Sequence, residues 1–558
     1  MQGFQGDNLS DETTVLACVK HMAAYGAAQA GRDYHSVDMS DRVLREVYLP
    51  PYKAAIDAGA LSVMTSFNDV HGTPASANKY LMTDILRNEW GFDGFVVTDY
   101  TAINELIPHG VAAEEYQAGL LAMKAGVDMD MEGGIYMDHL KAMVENGDVS
   151  IADIDQAVRR VLTLKFMLGI MDDPFKYCDE EREQNEIFSK KNRDAAYEMA
   201  AKSMVLLKND NQTLPFQAGD NIVVIGPLAN SKRDLIGSWK AAGEHKRATT
   251  ILEAIKTTNK NGKVTYARGC DVNTEDQSGF DAAIAAARKA DKVILVMGEK
   301  WSMTGEAACR TDIGMPGVQT ELIREIKKLN KPVVLVLMTG RAMALEQEDS
   351  MVDALLNIWY PGLEGGKATA DALFGKFSPS GKLTMTFPRN VGQVPIYYNH
   401  KHAGRPYDAS KPEDKYKSRY LDSPNTPLYP FGHGLSYTTF DYSPITLSST
   451  SMDGNGSIVA SVEVTNTGAF DAEEVVQLYI QDQVASVTRP VKELKGFEKS
   501  NIKMGESKTI TFTVTEKELS FYRQDMSFGA EKGAFTLFIG PNSDTQNTIE
   551  FELTSVSF

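Results

Sequence analysis

Three short apolar stretches in the first hundred residues end on groups capable of chemistry. CVKH closes on Lys20 and His21, MTSFND on Phe67, Asn68 and Asp69, and GFDGFVVTDY on Asp99 and Tyr100. A single Asp after a buried strand reads as a turn residue, because its carboxylate bonds the nearby backbone. Three such endings read differently. Charged, polar and aromatic side chains gathered at the C-terminal ends of parallel strands form an active-site rim, and a carboxylate there is a candidate catalytic group. A further candidate lies far along the chain. TGEAACRTDIGMPGVQ (304–319) is a long loop between a buried strand and a helix, with Glu306 between two small residues. Loops of this kind carry function more often than packing, although a lone surface Glu is solvated by default.

The elements that must position these groups can be read from periodicity. Strand-like runs cover 15–21, 62–68, 94–100 and 128–131. Helical patterns cover 42–58, 80–90 and 114–125, each stopped near a glycine (Gly59, Gly91, Gly126). Repeated β-then-α units of this length imply a parallel sheet covered by helices. A helix over 152–168 is expected to set Ile154, Val158, Val161 and Lys165 on one side. DDPFKYCDEEREQNE (172–186) is polar and punctuated, a linker by composition. A second α/β region follows, with buried strands NIVVIG (221–226), KVILVMGE (292–299) and PVVLVLMTG (332–340). From about residue 445 the period becomes two. TITFTVT (509–515) turns Ile510, Phe512 and Val514 inward, and SIVASVEVT, EVVQLYIQD, AFTLFIG and TIEFEL add strands at sandwich-like spacing.

Composition excludes several classes. The 57 basic and 75 acidic residues give a formal net charge of −18, which argues against nucleic-acid and anionic-membrane partners. The four cysteines are scattered, with no CxxC and no Cys/His cluster, so neither a structural zinc site nor a disulfide scaffold is expected. VVIGPLAN holds one glycine after a strand, without GxGxxG or GK[ST], so no nucleotide site is expected. No apolar run reaches membrane-spanning length, and MQGFQGDNLS has neither a basic nor an apolar leader pattern, so no export signal is expected within these residues.

KHMAAYGA (20–27), GFDGFVVTDY (91–100), TGEAACRTDI (304–313), SPSGKLTMTFP (378–388), GRPY (404–407) and YPFGHGLSYTTF (429–440), in this order, resemble glycoside hydrolase family 3, in particular its bacterial three-domain β-glucosidases. The resemblance implies a retaining β-glycosidase that needs neither metal nor organic cofactor. Asp99 matches the nucleophile, and Glu306 the general acid/base carried by the second domain. Lys20 and His21 match residues that hydrogen-bond the sugar. Arg32, Met64, Phe67 and Tyr100 match positions lining the same pocket. Lys20 beside Asp99 would keep the aspartate ionised, and Glu306 on a more apolar loop would keep its proton. Phe67 stands where many relatives have Tyr, so one hydroxyl contact is lost while the ring can still stack.

The family likeness also implies the architecture: the C-terminal half of a (β/α)8 barrel, an α/β sandwich with a mostly parallel sheet, and a fibronectin type III-like β-sandwich. The expected divisions are a barrel-type domain over 1–172, a linker over 173–200, an α/β sandwich over 201–400, a connecting loop over 401–444 and the β-sandwich over 445–558. A full (β/α)8 barrel takes about 250 residues, whereas this region offers four strand–helix units. The chain is therefore expected to be either a fragment or a protein that completes its barrel from another subunit. An open half-barrel exposes strand edges, so a homodimer or larger assembly is expected. NHKHAGRPYDASKPEDKYKSRY (399–420) reads either as a solvated tether or as an aglycone-side lip, with Arg405 and Tyr416 as its contacts. The expected substrate is a β-linked oligosaccharide or aryl glucoside, with β-xylosides or sugar binding without turnover as alternatives. Relatives are commonly periplasmic or secreted.

Overall fold

The computed structural model describes residues 1–557 and divides into two compact units, Met1–Glu186 and Ile187–Phe558. In the first, three parallel strands form one sheet: β1 (Cys18–Met22), β2 (Ser62–Thr65) and β3 (Phe95–Val97), in that order. Val63 pairs with Val96 and Met64 with Val97, and these strands are buried because helices cover them. Gly94 lets β3 start flush against its neighbour, since a Cβ there would sit 2.0 Å from the carbonyl oxygen of Leu61.

The stretch expected as a strand over 128–131 pairs differently. It makes one parallel bridge, Val97 to Met129, with Asp128 N and Met129 N on Val96 O at 2.9 and 3.1 Å and Thr98 N on Met129 O at 3.0 Å, and adds Met131 N on Thr98 Oγ1 at 2.9 Å. The helix expected over 42–58 is broken. A wide turn over Leu44–Tyr48 closes with Leu49 N on Leu44 O, and Pro50 starts a fresh helix, Pro50–Asp57, where a missing N–H costs nothing. Helix Ile151–Met167 buries Ala157 and Leu164, with Ile154 and Val161 beside them, and exposes Val158 and Lys165. The inward stripe thus runs through an alanine that hydrophobicity alone does not mark.

In the second unit a six-stranded sheet has the order β4 (Val205–Asn209), β9 (Ala354–Asn357), β8 (Val333–Met338), β7 (Lys292–Gly298), β5 (Ile222–Ile225) and β6 (Val264–Ala267). Only β4 is antiparallel. The stretch expected as a linker over 173–200 instead folds as helices Glu180–Glu186 and Lys190–Ser203. The second of these buries Ala200 and donates the Tyr197 hydroxyl to Asp371 at 2.8 Å. The polar run before this helix concealed that apolar anchor.

Two antiparallel sheets complete the unit. One joins β10 (Phe440–Tyr442), β11 (Ile458–Asn466) and β14 (Ser507–Val514); the other joins β12 (Ala472–Asp482), β13 (Glu493–Ile502), β15 (Gly533–Gly540) and β16 (Thr548–Leu553). The sandwich thus begins at Phe440, inside the stretch expected as connecting loop. Ile510 and Val514 are buried and Phe512 half-buried, as the period of two requires.

Asp482 ends β12 with Oδ1 accepting from Val484 N at 3.2 Å and Oδ2 buried without a partner. Burial pushes its carboxyl up to about 6, against the pull of Arg489. A folded pKa above the ordinary 3.8 means that the folded state holds the proton more tightly, so this contribution to stability falls as pH rises from about 4 to about 6. Asp482→Asn is expected to remove that fall, gaining on the order of 1 kcal/mol over wild type between pH 4 and pH 7. Chemical denaturation at the two pH values measures it; equal shifts at both would count against the buried-carboxylate explanation.

Candidate active site

The C-terminal ends of β1, β2 and β3 bring His21, Phe67 and Asp99 together. Thr98 anchors the end of β3 through its bonds to the 129–131 stretch. The next residue, Asp99, projects a carboxylate that is only 13% exposed, with His21 Nε2 3.1 Å from Oδ2 and Tyr100 N donating to Oδ1 at 2.7 Å. Both oxygens are therefore oriented while one side of the group stays open. The carbonyl of His21 is held in turn by the Tyr52 hydroxyl, whose pKa burial pushes up to about 12, so it stays a donor.

The side chain in contact with Asp99 is therefore that of His21, not Lys20. β1 exposes Cys18 and Lys20, and an extra residue against β2 between Val19 and Met22, a bulge, leaves His21 drawn in beside buried Met22. Phe67 is buried in an aromatic group, its ring centroid 6.1 Å from Tyr25 and 5.4 Å from Tyr34, with His21 5.2 Å from Tyr25. Met64 is buried in β2 opposite Val97, whereas Arg32 and Tyr100 are exposed. Val19, Lys20, His21, Tyr25, Tyr48 and Tyr52 line part of a cavity of about 410 Å³.

Sequence reasoning missed Tyr25, Asp33 and Tyr34. The Tyr25 hydroxyl donates to Asp33 Oδ1 at 2.5 Å, and Tyr34 N donates to the same oxygen at 3.2 Å. Tyr25 opens a single 3-10 turn after β1 and Asp33 and Tyr34 lie in irregular chain beyond it, too short and uneven for periodicity to carry a signal. The aromatic spacing within KHMAAYGA was the available hint.

In the second unit Glu306 crowns the loop after β7. Gly305 (φ 97°) and Ala307 (φ 55°) flank it, both left-handed. Any side chain at 305 would also meet Ser238 Oγ at 2.7 Å, and exposed Trp239 lies just beyond. The expectation of an apolar setting for Glu306 is not met within this unit, because the side chain is exposed. Beneath the loop, and unremarked in the sequence, lies the wholly buried Glu299 with Arg310 and Arg341. Its signature, a charge closing an apolar strand, is the one that marked Asp99. Arg405 and Tyr416 are exposed on a loop whose start is pinned to the sandwich by a Lys401–Pro490 bridge. Among the described residues no group of three or more His, Cys, Asp or Glu side chains is gathered as a metal site, and no helix is long and apolar enough to cross a membrane.

Comparison with known proteins gives the class. The Glycosyl hydrolase family 3 N terminal domain matches residues 1–164, the Glycosyl hydrolase family 3 C-terminal domain 204–437, and the Fibronectin type III-like domain 474–543. The chain is a glycoside hydrolase and belongs to family 3. The Periplasmic beta-glucosidase of Salmonella typhimurium is 45% identical to it, across 99% of this chain and 75% of its own length. The Beta-xylosidase of Formosa agariphila is 39% identical, across 99% of this chain and 78% of its own. Among solved structures, the beta-glucosidase from Listeria innocua in complex with glucose superimposes with a TM-score of 0.96 at 39% identity, covering 100% of this chain and 77% of that one.

Proposed function

We propose that this chain is a retaining exo-β-glucosidase that releases terminal β-D-glucose from β-linked oligosaccharides and aryl glucosides. The observation that carries the reading is the oriented carboxylate of Asp99 at the rim of three parallel strands, 3.1 Å from His21. In the first half-reaction a carboxylate oxygen of Asp99 bonds to C1 as the C1–O bond to the leaving group breaks, and Glu306 gives its proton to that leaving oxygen. In the second, Glu306 takes a proton from water, the water oxygen bonds to C1, and the bond to Asp99 breaks. Two inversions leave the β configuration intact. Lys20, His21, Arg32, Met64, Phe67 and Tyr100 are assigned to the sugar side, and Arg405 and Tyr416 to the leaving-group side. On this reading 1–172 is the nucleophile domain, 201–400 the acid/base domain and the chain from Phe440 onward the β-sandwich.

A β-xylosidase is the second reading, supported by the 39% identity to the Formosa protein. Proton NMR during hydrolysis of p-nitrophenyl β-D-glucoside is expected to show β-glucose first, with kcat/KM above that for the xyloside. First appearance of α-glucose would end the retaining reading; preference for the xyloside would favour the second. The reading extends to a periplasmic or secreted address. The open outer edge of β1 favours self-association, which gel filtration checks.

A further inference from the structure

Glu299 is the last residue before the loop that carries Glu306, and its side chain is 0% exposed. A buried carboxylate is costly unless paired and fully hydrogen-bonded, and this one is both. Oε1 lies 2.6 Å from Arg310 Nη1 and 3.0 Å from Arg341 Nε. Oε2 accepts from the Thr339 hydroxyl at 2.8 Å and from Arg341 Nε at 3.2 Å. The arginines come from opposite sides: Arg310 belongs to the loop itself, while Arg341 follows β8.

What the arginines do with their remaining N–H groups gives the arrangement its point. Arg341 Nη2 donates to the carbonyls of Met303 and of Ala308, the latter at 3.0 Å, and so ties together the two ends of the segment 304–307. Arg310 Nη2 donates to Gly314 O at 3.1 Å, fastening the loop again further on. The backbone before the loop is held as well, with the Tyr360 hydroxyl donating to Glu299 O at 3.1 Å and Lys300 O at 3.2 Å. The four residues that carry Glu306 therefore form a short arch whose two feet stand on one guanidinium. That guanidinium is in turn oriented by one carboxylate. The left-handed backbone at Ala307 persists only while its surroundings hold it, so the arch relaxes if a foot is released.

We propose that Glu299, acting through Arg341 and Arg310, is a positioning residue for Glu306: it sets the direction in which the acid/base carboxyl projects without touching substrate. This rests on the reading of Glu306 as the acid/base. A positioned proton donor loses much of its effect when displaced by about 1 Å, on the order of 10²-fold. A displaced donor harms only reactions that need the proton. A poor leaving group, such as the glucose of cellobiose, needs it, whereas 2,4-dinitrophenolate departs without it. The specificity constant kcat/KM reports only the step that expels the leaving group.

The test is Arg341→Lys in the full chain, which keeps a cation beside Glu299 but cannot span both carbonyls. The expected result is a fall in kcat/KM for cellobiose on the order of 10²-fold, with kcat/KM for 2,4-dinitrophenyl β-D-glucoside little changed. Glu299→Gln should show the same split wherever it folds, and Arg310→Lys a smaller one, because it releases only the distal fastening. Glu306→Ala is run beside them. If Glu306→Ala shows the split and the arginine variants lose nothing, or lose both substrates equally, the positioning role is overturned while Glu306 stands. If Glu306→Ala keeps cellobiose activity, the acid/base assignment fails and the inference falls with it.

Discussion

Asp99→Ala is expected to lower kcat/KM for p-nitrophenyl β-D-glucoside by on the order of 10⁴–10⁶-fold while leaving the melting temperature close to wild type. The chemistry requires the loss, because no other group can form the covalent bond to C1 once that carboxylate is gone. The unchanged stability follows from the contacts. Asp99 is held by one half-exposed histidine and its neighbour's amide, and neither is left buried without water when the carboxylate goes. The space vacated by the side chain also admits a small anion. Azide is expected to restore part of the activity of Asp99→Ala and to yield α-glucosyl azide, a single inversion. Azide acting in Glu306→Ala would instead yield the β-azide, because there it replaces water in the second half-reaction. Retention of activity within about tenfold of wild type in Asp99→Ala would remove this residue from the reaction.

How much of this was legible without coordinates depends on which physical signal each residue leaves. Asp99 could be read because a fully apolar strand ending on a carboxylate is anomalous, and the neighbouring strands repeat the anomaly. Glu299 carries the same signature after β7, yet its significance lies in arginines 11 and 42 residues on, a relation periodicity does not encode. Lys20 and His21 were legible as a pair, but not that His21 is the one in contact with Asp99, because the bulge in β1 carries no sequence signal. The 128–131 stretch was legible as an extended segment beside β3; that its backbone bonds there are supplemented by the side chains of Asp128 and Thr98 was not. The helix Lys190–Ser203 was passed over with the polar run before it, although Tyr197, Ala200 and Ala201 pack against the core. Domain order was the most legible feature, because a change of period from 3.6 to 2 survives any local error.

Asp128 shows how a residue with no place in the chemistry governs whether Asp99 is presented at all. Its side chain is 2% exposed and gathers three donors: Arg87 Nη2 at 2.6 Å, Arg160 Nη1 at 2.8 Å and the β3 amide Val96 N at 2.8 Å. Arg87 also donates to the carbonyls of Phe92 and Gly94, so the turn that launches β3 is fastened to the same carboxylate. Burial pulls the Arg87 guanidinium down to about 10 while the attraction of Asp128 opposes it, so the cation relies on its partner. Asp128→Ala leaves two partly buried guanidiniums facing each other and the Val96 N–H without an acceptor. The expected cost is about 3–5 kcal/mol, read as a lower denaturation midpoint for the first unit and as faster amide exchange across 91–100. Asp128→Asn keeps an acceptor for Val96 N and is expected to lose less. Activity should fall in both variants in proportion to the fraction unfolded, and it should recover at low temperature or in stabilising osmolyte, neither of which can rescue Asp99→Ala. A wild-type midpoint in Asp128→Ala would mean that β3 is held by its strand pairing alone. The recovery of activity on stabilisation is what separates a residue that presents the nucleophile from one that is the nucleophile.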